Sequence, residues 1–157
     1  MIRTQARAVI PAPPSGVYAL LTDPARVVEL GRNPVEVLSV EEHADGRRVA
    51  RLRTRLPSGA TVDSESTVLE RVPDRRIVVE SHIDRFGFAP TRRGRFGRLT
   101  SRMERTLEEH PGGTLVRVRA EFRFQPRLLT VYFALVKRGQ WQRATDDGLE
   151  RLRAAFA

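Results

Sequence analysis

The sequence predicts an α+β fold with seven antiparallel strands, two short helices after the first strand, and a long helix at the C-terminus. Three observations predict it. Ile2 to Ile10 alternates polar and apolar side chains and stops at a proline run, as a strand with one buried face does. Between Val35 and Phe124, short alternating runs are separated by tight turns rich in Gly, Pro and Asp. From Leu129 to Phe156, apolar or small residues recur at roughly the 3.6-residue period of a helix.

Each element has a local cause. Ile2, Thr4, Ala6, Ala8 and Ile10 share one face of the first strand. Pro11-Ala12-Pro13-Pro14 ends it, and a proline is suited to the first helical position because no N–H is needed there. Ser15 to Leu21 is the first short helix. Asp23 is placed to cap a second, opened by Pro24 and closed near Leu30 by Gly31. The later strands are Val35–Glu42, Arg47–Leu56, Thr61–Arg71, Arg75–Ile83, Leu99–Glu108 and Thr114–Phe124. Asp45-Gly46, Pro57-Ser58-Gly59, Val72-Pro73-Asp74 and Pro111-Gly112-Gly113 supply turns. A glycine- and arginine-rich stretch, Asp84 to Gly97, is expected as a loop. Pro126 opens the last helix, and Gly139 is the expected site of a bend or break.

A chain of 157 residues fits one domain, spanning residues 1–157. The absence of cysteine excludes disulfides, thiolate metal sites and a cysteine nucleophile, and suits the cytoplasm. No stretch approaches the ~20 apolar residues of a membrane helix, and Met1 to Ile10 does not read as a signal peptide. The net charge of +9 is almost wholly arginine, with Lys137 the one lysine. Such a balance suits either a solvated surface or contact with nucleic acid or anionic lipid. The densest cluster is Arg92, Arg93, Arg95 and Arg98, interleaved with Gly and Phe96.

The order of elements, together with three segments, resembles the START-like (SRPBCC) superfamily. The stretch VIPAPPSGVYALLTDPARVVEL, Val9 to Leu30, is similar to the family's opening, with Val17-Tyr18-Ala19-Leu20-Leu21-Thr22-Asp23 as its centre. LERVPDRRIVVES, Leu69 to Ser81, is similar to a proline hairpin of the family, and GGTLVRVRAEF, Gly112 to Phe122, to its last turn and strand. One departure is the second short helix, where Leu30 stands in a region that is usually aromatic. The resemblance implies a helix-grip fold, in which a curved sheet wraps a long C-terminal helix around an internal cavity. It further implies a small, mostly apolar ligand such as a lipid or polyketide, with no cofactor. Binders, carriers and enzymes share this scaffold, so fold alone does not choose among them.

Strand parity assigns the inward face. The last strand turns Val116, Val118, Ala120, Phe122 and Phe124 inward. Leu52 and Thr54 face inward from one strand, Ser64 and Ser66 from the next, and Met103 and Arg105 from the strand after the arginine-rich stretch. Tyr132, Phe133, Val136, Gln140, Trp141 and Ala144 are the helical candidates. The candidate ligand-binding set is therefore Leu52, Thr54, Ser64, Ser66, Met103, Arg105, Val118, Phe122, Tyr132, Phe133, Val136 and Trp141, with the cavity expected behind Trp141 and Phe122.

Arg105 is the most informative of these. An inward arginine requires a carboxylate such as Glu80, an anionic ligand, or a bulge that turns it to solvent. His43, His82 and His110 lack metal-ligand spacing, so no metal site is expected. Three functions remain: binding of a small apolar ligand; a cofactor-independent polyketide cyclase or aromatase using Arg105, Tyr132, Ser66 and Glu80; and a basic surface for RNA, ribosome or anionic lipid.

Overall fold

A computed structural model describes residues 1–86, 97–125 and 127–157. The seven strands are β1 (Ile2–Ile10), β2 (Val35–Glu42), β3 (Arg48–Arg55), β4 (Thr61–Val72), β5 (Arg76–Phe86), β6 (Gly97–His110) and β7 (Gly113–Gln125). They form one antiparallel sheet in the order β1-β7-β6-β5-β4-β3-β2. Six strands meander, and β1 closes the order by pairing with β7, from Ile2 opposite Phe122 to Ile10 opposite Thr114. The architecture is the expected α+β helix-grip fold, an open curved sheet with helices on its inner face.

The short helices α1 (Pro14–Thr22) and α2 (Pro24–Val27) lie between β1 and β2, and a 3-10 turn, Val28–Leu30, continues α2. Their start signals act as the sequence predicts. Pro14 occupies the first turn of α1, and the Asp23 carboxylate accepts a hydrogen bond from the Ala25 N–H at 3.0 Å.

Two expectations need correction. The C-terminal region is two helices, α3 (Arg127–Val136) and α4 (Arg138–Ala154), and the break between them precedes Gly139. The break falls at Lys137, whose φ of -119° and ψ of 22° leave the helical region. The Thr130 hydroxyl fixes α3 to the end of β7 by bonding the Phe124 backbone N–H and C=O, each at 3.1 Å. The second correction concerns Asp84 to Phe86, which extend β5 instead of opening a loop. Pro126 and Arg92, Arg93 and Arg95 lie outside the described residues.

The core forms two clusters. One joins α1 and α4 to the sheet through Ile10, Val17, Leu20, Ile77, Val116 and Leu152. Each such side chain contributes roughly 1.5–3 kcal/mol by leaving water. The other gathers Ile2, Leu99, Ala120, Phe122 and Phe124 beneath α3. On the outer face, Arg53 bonds Asp63 at 2.8 Å, Arg51 lies 3.7 Å from Glu65, and Arg3 lies 3.3 Å from Glu121. Exposed pairs of this kind add only ~0–1 kcal/mol each and mainly keep the surface soluble. No helix among the described residues is long and apolar enough to cross a membrane.

Candidate ligand-binding cavity

The inner faces of β3 to β6 form the floor of a cavity of about 260 Å³. Ala50, Leu52 and Thr54 come from β3, Ser66 and Val68 from β4, Val79 and Ser81 from β5, and Ser101, Met103 and Arg105 from β6. The α1–α2 region covers them with Leu21, Thr22, Pro24, Val27, Val28 and Gly31. Strand register explains where the polar groups fall. Ser66 pairs with Ser81, and Ser81 with Ser101, so three hydroxyls lie in one row across the sheet. The Ser66 and Ser81 oxygens are 2.7 Å apart. The rows on either side are mostly apolar, with Val68, Val79 and Met103 on one and Leu52, Ile83 and Leu99 on the other.

A second cavity of about 290 Å³ lies beneath α4, lined by Leu30, Val118, Ala144, Thr145, Gly148, Leu149, Arg151 and Leu152. It shares Leu21, Val27, Gly31, Met103 and Arg105 with the first. Arg105 thus stands at the junction of the two spaces. The regular pairing of β6 with β7 holds it there: Arg105 is opposite Val118, and no bulge interrupts this pair. Ile77 flanks it on β5.

Among the described residues, three arginines and no carboxylate line the two cavities. Two of the arginines are engaged. Arg48 donates to Glu42 at 2.7 Å and to the Thr22 carbonyl at 2.6 Å, and Arg151 donates to the Leu30 carbonyl at 2.6 Å. These bonds tie the α1–α2 cover to the sheet and to α4. Arg105 has no hydrogen-bond or ion-pair partner among the described residues. Burial pulls its pKa down to about 10, so the side chain remains a cation at neutral pH.

Of the sequence-predicted residues, Leu52, Thr54, Ser66, Met103 and Arg105 line the first cavity, and Val118 lines the second. Ser64 sits one row away, opposite Leu52 and Ile83, outside both linings. Phe122, Phe133 and Trp141 line neither of these two cavities. With Phe124 they fill the space behind Trp141 and Phe122: the Phe122–Trp141 centroids are 4.8 Å apart and the Phe124–Phe133 centroids 4.6 Å. Both cavities therefore lie away from the position expected behind Trp141 and Phe122, where these four rings pack together. Tyr132 and Val136 are 46% and 60% exposed, since α3 turns Phe133 to the sheet and carries these two away from it. Glu80 cannot pair with Arg105. It shares the outward parity of His82 and bonds that ring at 3.0 Å.

The candidate set left out Ala50, although parity turns it inward beside Leu52 and Thr54, and it left out Val79 and Ser81, which the same rule could have identified. It also missed the cover residues of α1 and α2. No local pattern marks those, because what they face is set by distant packing.

The family model for polyketide cyclase / dehydrase and lipid transport matches residues 1–157. The chain belongs to this family. Solved structures agree with the START-like fold of this polyketide cyclase and lipid transport family member. Protein CV1439 from Chromobacterium violaceum superimposes with a TM-score of 0.67 at 18% identity, covering 98% of this chain and 96% of that one. A protein from Arthrobacter aurescens gives 0.71 at 13% identity, covering 99% and 86%. StfQ, a di-domain ARO/CYC from the steffimycin biosynthetic pathway, gives 0.70 at 15% identity, covering 99% of this chain and 50% of its own. At these identities the likeness concerns the fold. Among curated proteins, none matches the sequence.

Proposed function

We propose that this polyketide cyclase and lipid transport family member binds a small, mostly apolar molecule in the cavity between β3–β6 and the α1–α2 cover. The observation that carries the reading is the lining itself. It is an apolar surface of Val, Leu, Ala and Met side chains, broken by one row of hydroxyls and by Arg105. Small-molecule sites have this character, a hydrophobic wall that supplies affinity and a few polar groups that set orientation. At about 260 Å³ the volume lies just below the range for such sites, roughly 300–1,000 Å³, which suits a small ligand.

A cyclase or aromatase reading shares the same cavity and the family description. Here the chemistry favours holding over proton transfer. No His, Asp, Glu, Lys or Tyr lines either cavity among the described residues, so no side chain there has a pKa suited to a general base. A cyclisation in this space would depend on folding the substrate and on Arg105 stabilising an enolate. The basic-surface reading has less support, because carboxylates interrupt the outer arginine ladder at Asp63, Glu65 and Glu121.

Titration with Nile red, a neutral apolar dye, tests the proposal. Ala50→Phe places a ring in the cavity and is expected to weaken dye binding by about tenfold or more. Tyr132→Ala, on the exposed side of α3, is expected to leave it unchanged. Equal affinity for wild type and Ala50→Phe would overturn this placement of the site.

A further inference from the structure

We infer that the cavity selects singly charged apolar acids, with the ligand's carboxylate seated on Arg105. The inference rests on the binding reading above and deepens it. A charged side chain withdrawn from water without a partner is costly, and proteins ordinarily supply a carboxylate or let the group reach solvent. Here no carboxylate is supplied, and the half-buried side chain opens onto the cavities instead of the outer surface. The uninterrupted β6–β7 register keeps Arg105 on the inner face between Ile77 and Val118, and among the described residues no acid lines either adjoining cavity. The other two arginines of the linings are committed to Glu42 and to backbone carbonyls, which leaves Arg105 as the cation open to a ligand.

The chemistry of the missing partner follows. A guanidinium presents a planar fork of N–H donors that fits both oxygens of a carboxylate. A single unpaired cation matches a single negative charge. Because Arg105 sits where the two cavities meet, a carboxylate bound there leaves its hydrocarbon body free to lie along the Val68–Val79–Met103 row or beneath α4. An alcohol or ester of the same shape would leave the cation unsatisfied, and buried polar groups left unpaired are what make such sites discriminate.

The test is displacement of Nile red from the intact protein by matched pairs, decanoate against decan-1-ol and 2-naphthoate against 2-naphthol, at about neutral pH. In wild type each acid is expected to compete at least about tenfold more strongly than its alcohol. In Arg105→Met that preference is expected to vanish while Nile red still binds. Equal competition by acid and alcohol in wild type, a preference that survives in Arg105→Met, or no displacement by either member would overturn the inference and leave the apolar site standing. Failure of Nile red itself to bind wild type would remove the binding reading and the inference with it. Thermal melting supplies an independent check. Arg105→Met is expected to melt at or above the wild-type temperature, because it removes an unpaired, half-buried charge. A marked fall would show that the guanidinium is satisfied within the fold, and would also overturn the proposal.

Discussion

The hydroxyl oxygens of Thr4 and Thr145 lie 2.7 Å apart, both buried, and join β1 to α4 across 141 positions of sequence. Thr145 also donates to the Trp141 carbonyl at 3.0 Å, so the bond between the two hydroxyls takes its hydrogen from Thr4. The consequences of mutation are unequal. Thr145→Val leaves the Thr4 hydroxyl buried without an acceptor and is expected to cost about 1–3 kcal/mol. Thr4→Val leaves Thr145 bonded to the helix and is expected to cost about 1 kcal/mol or less. The double variant should be more stable than the sum of the singles implies. Urea denaturation of all four proteins measures the coupling.

Gly113 carries a strict requirement. Its φ is +130°, and a Cβ there would stand 2.1 Å from the Ile10 carbonyl oxygen. The turn between β6 and β7 is pressed against the end of β1, where the Thr114 hydroxyl donates to the Ala12 carbonyl at 2.6 Å. Gly113→Ala is expected to cost roughly 3 kcal/mol or more, from strain and backbone displacement together. For a domain of this size that corresponds to a fall in Tm of about 6–12 °C. By contrast, Gly46→Ala, at a φ of +84° with nothing within 4 Å of the added carbon, should cost only about 1–2 kcal/mol.

The ionisation of Arg105 predicts a pH dependence with a definite sign. Burial lowers its pKa in the folded protein to about 10, below the ordinary arginine value that applies once the chain unfolds. Above about pH 10 the unfolded chain therefore holds more protons at this site than the folded one, and this group's contribution to stability rises with pH. Below that value the burial penalty is present in full. The stability advantage of Arg105→Met over wild type is thus expected to be level between about pH 7 and pH 9 and to narrow above about pH 10. Guanidinium melts of the two proteins across that range measure it, and a gap that widens with pH would contradict the assigned cause.

Much of this molecule is determined within short stretches of sequence. Alternation over Ile2–Ile10 and the six later runs fixes which residues form strands. The Asp23–Pro24 cap places α2, and period-two parity puts Ser66, Met103 and Arg105 on the inner face, since a pleated strand leaves a residue only two sides. Parity also contains the central fact about Arg105, but not its significance. Whether the cation would meet Glu80, a bulge or a cavity depended on β5 and β7, whose residues are far away in the chain. The location of the cavity was decided by tertiary structure alone. It exists because the Arg48–Thr22 and Arg151–Leu30 bonds, spanning 26 and 121 positions, hold the α1–α2 cover over β3–β6. Meanwhile Phe122, Phe124, Phe133 and Trp141 close the space at the other end of the sheet. Hydrophobic periodicity reports which side of an element avoids water. The volume left between two such sides is a property of their mutual placement, and no local pattern encodes it.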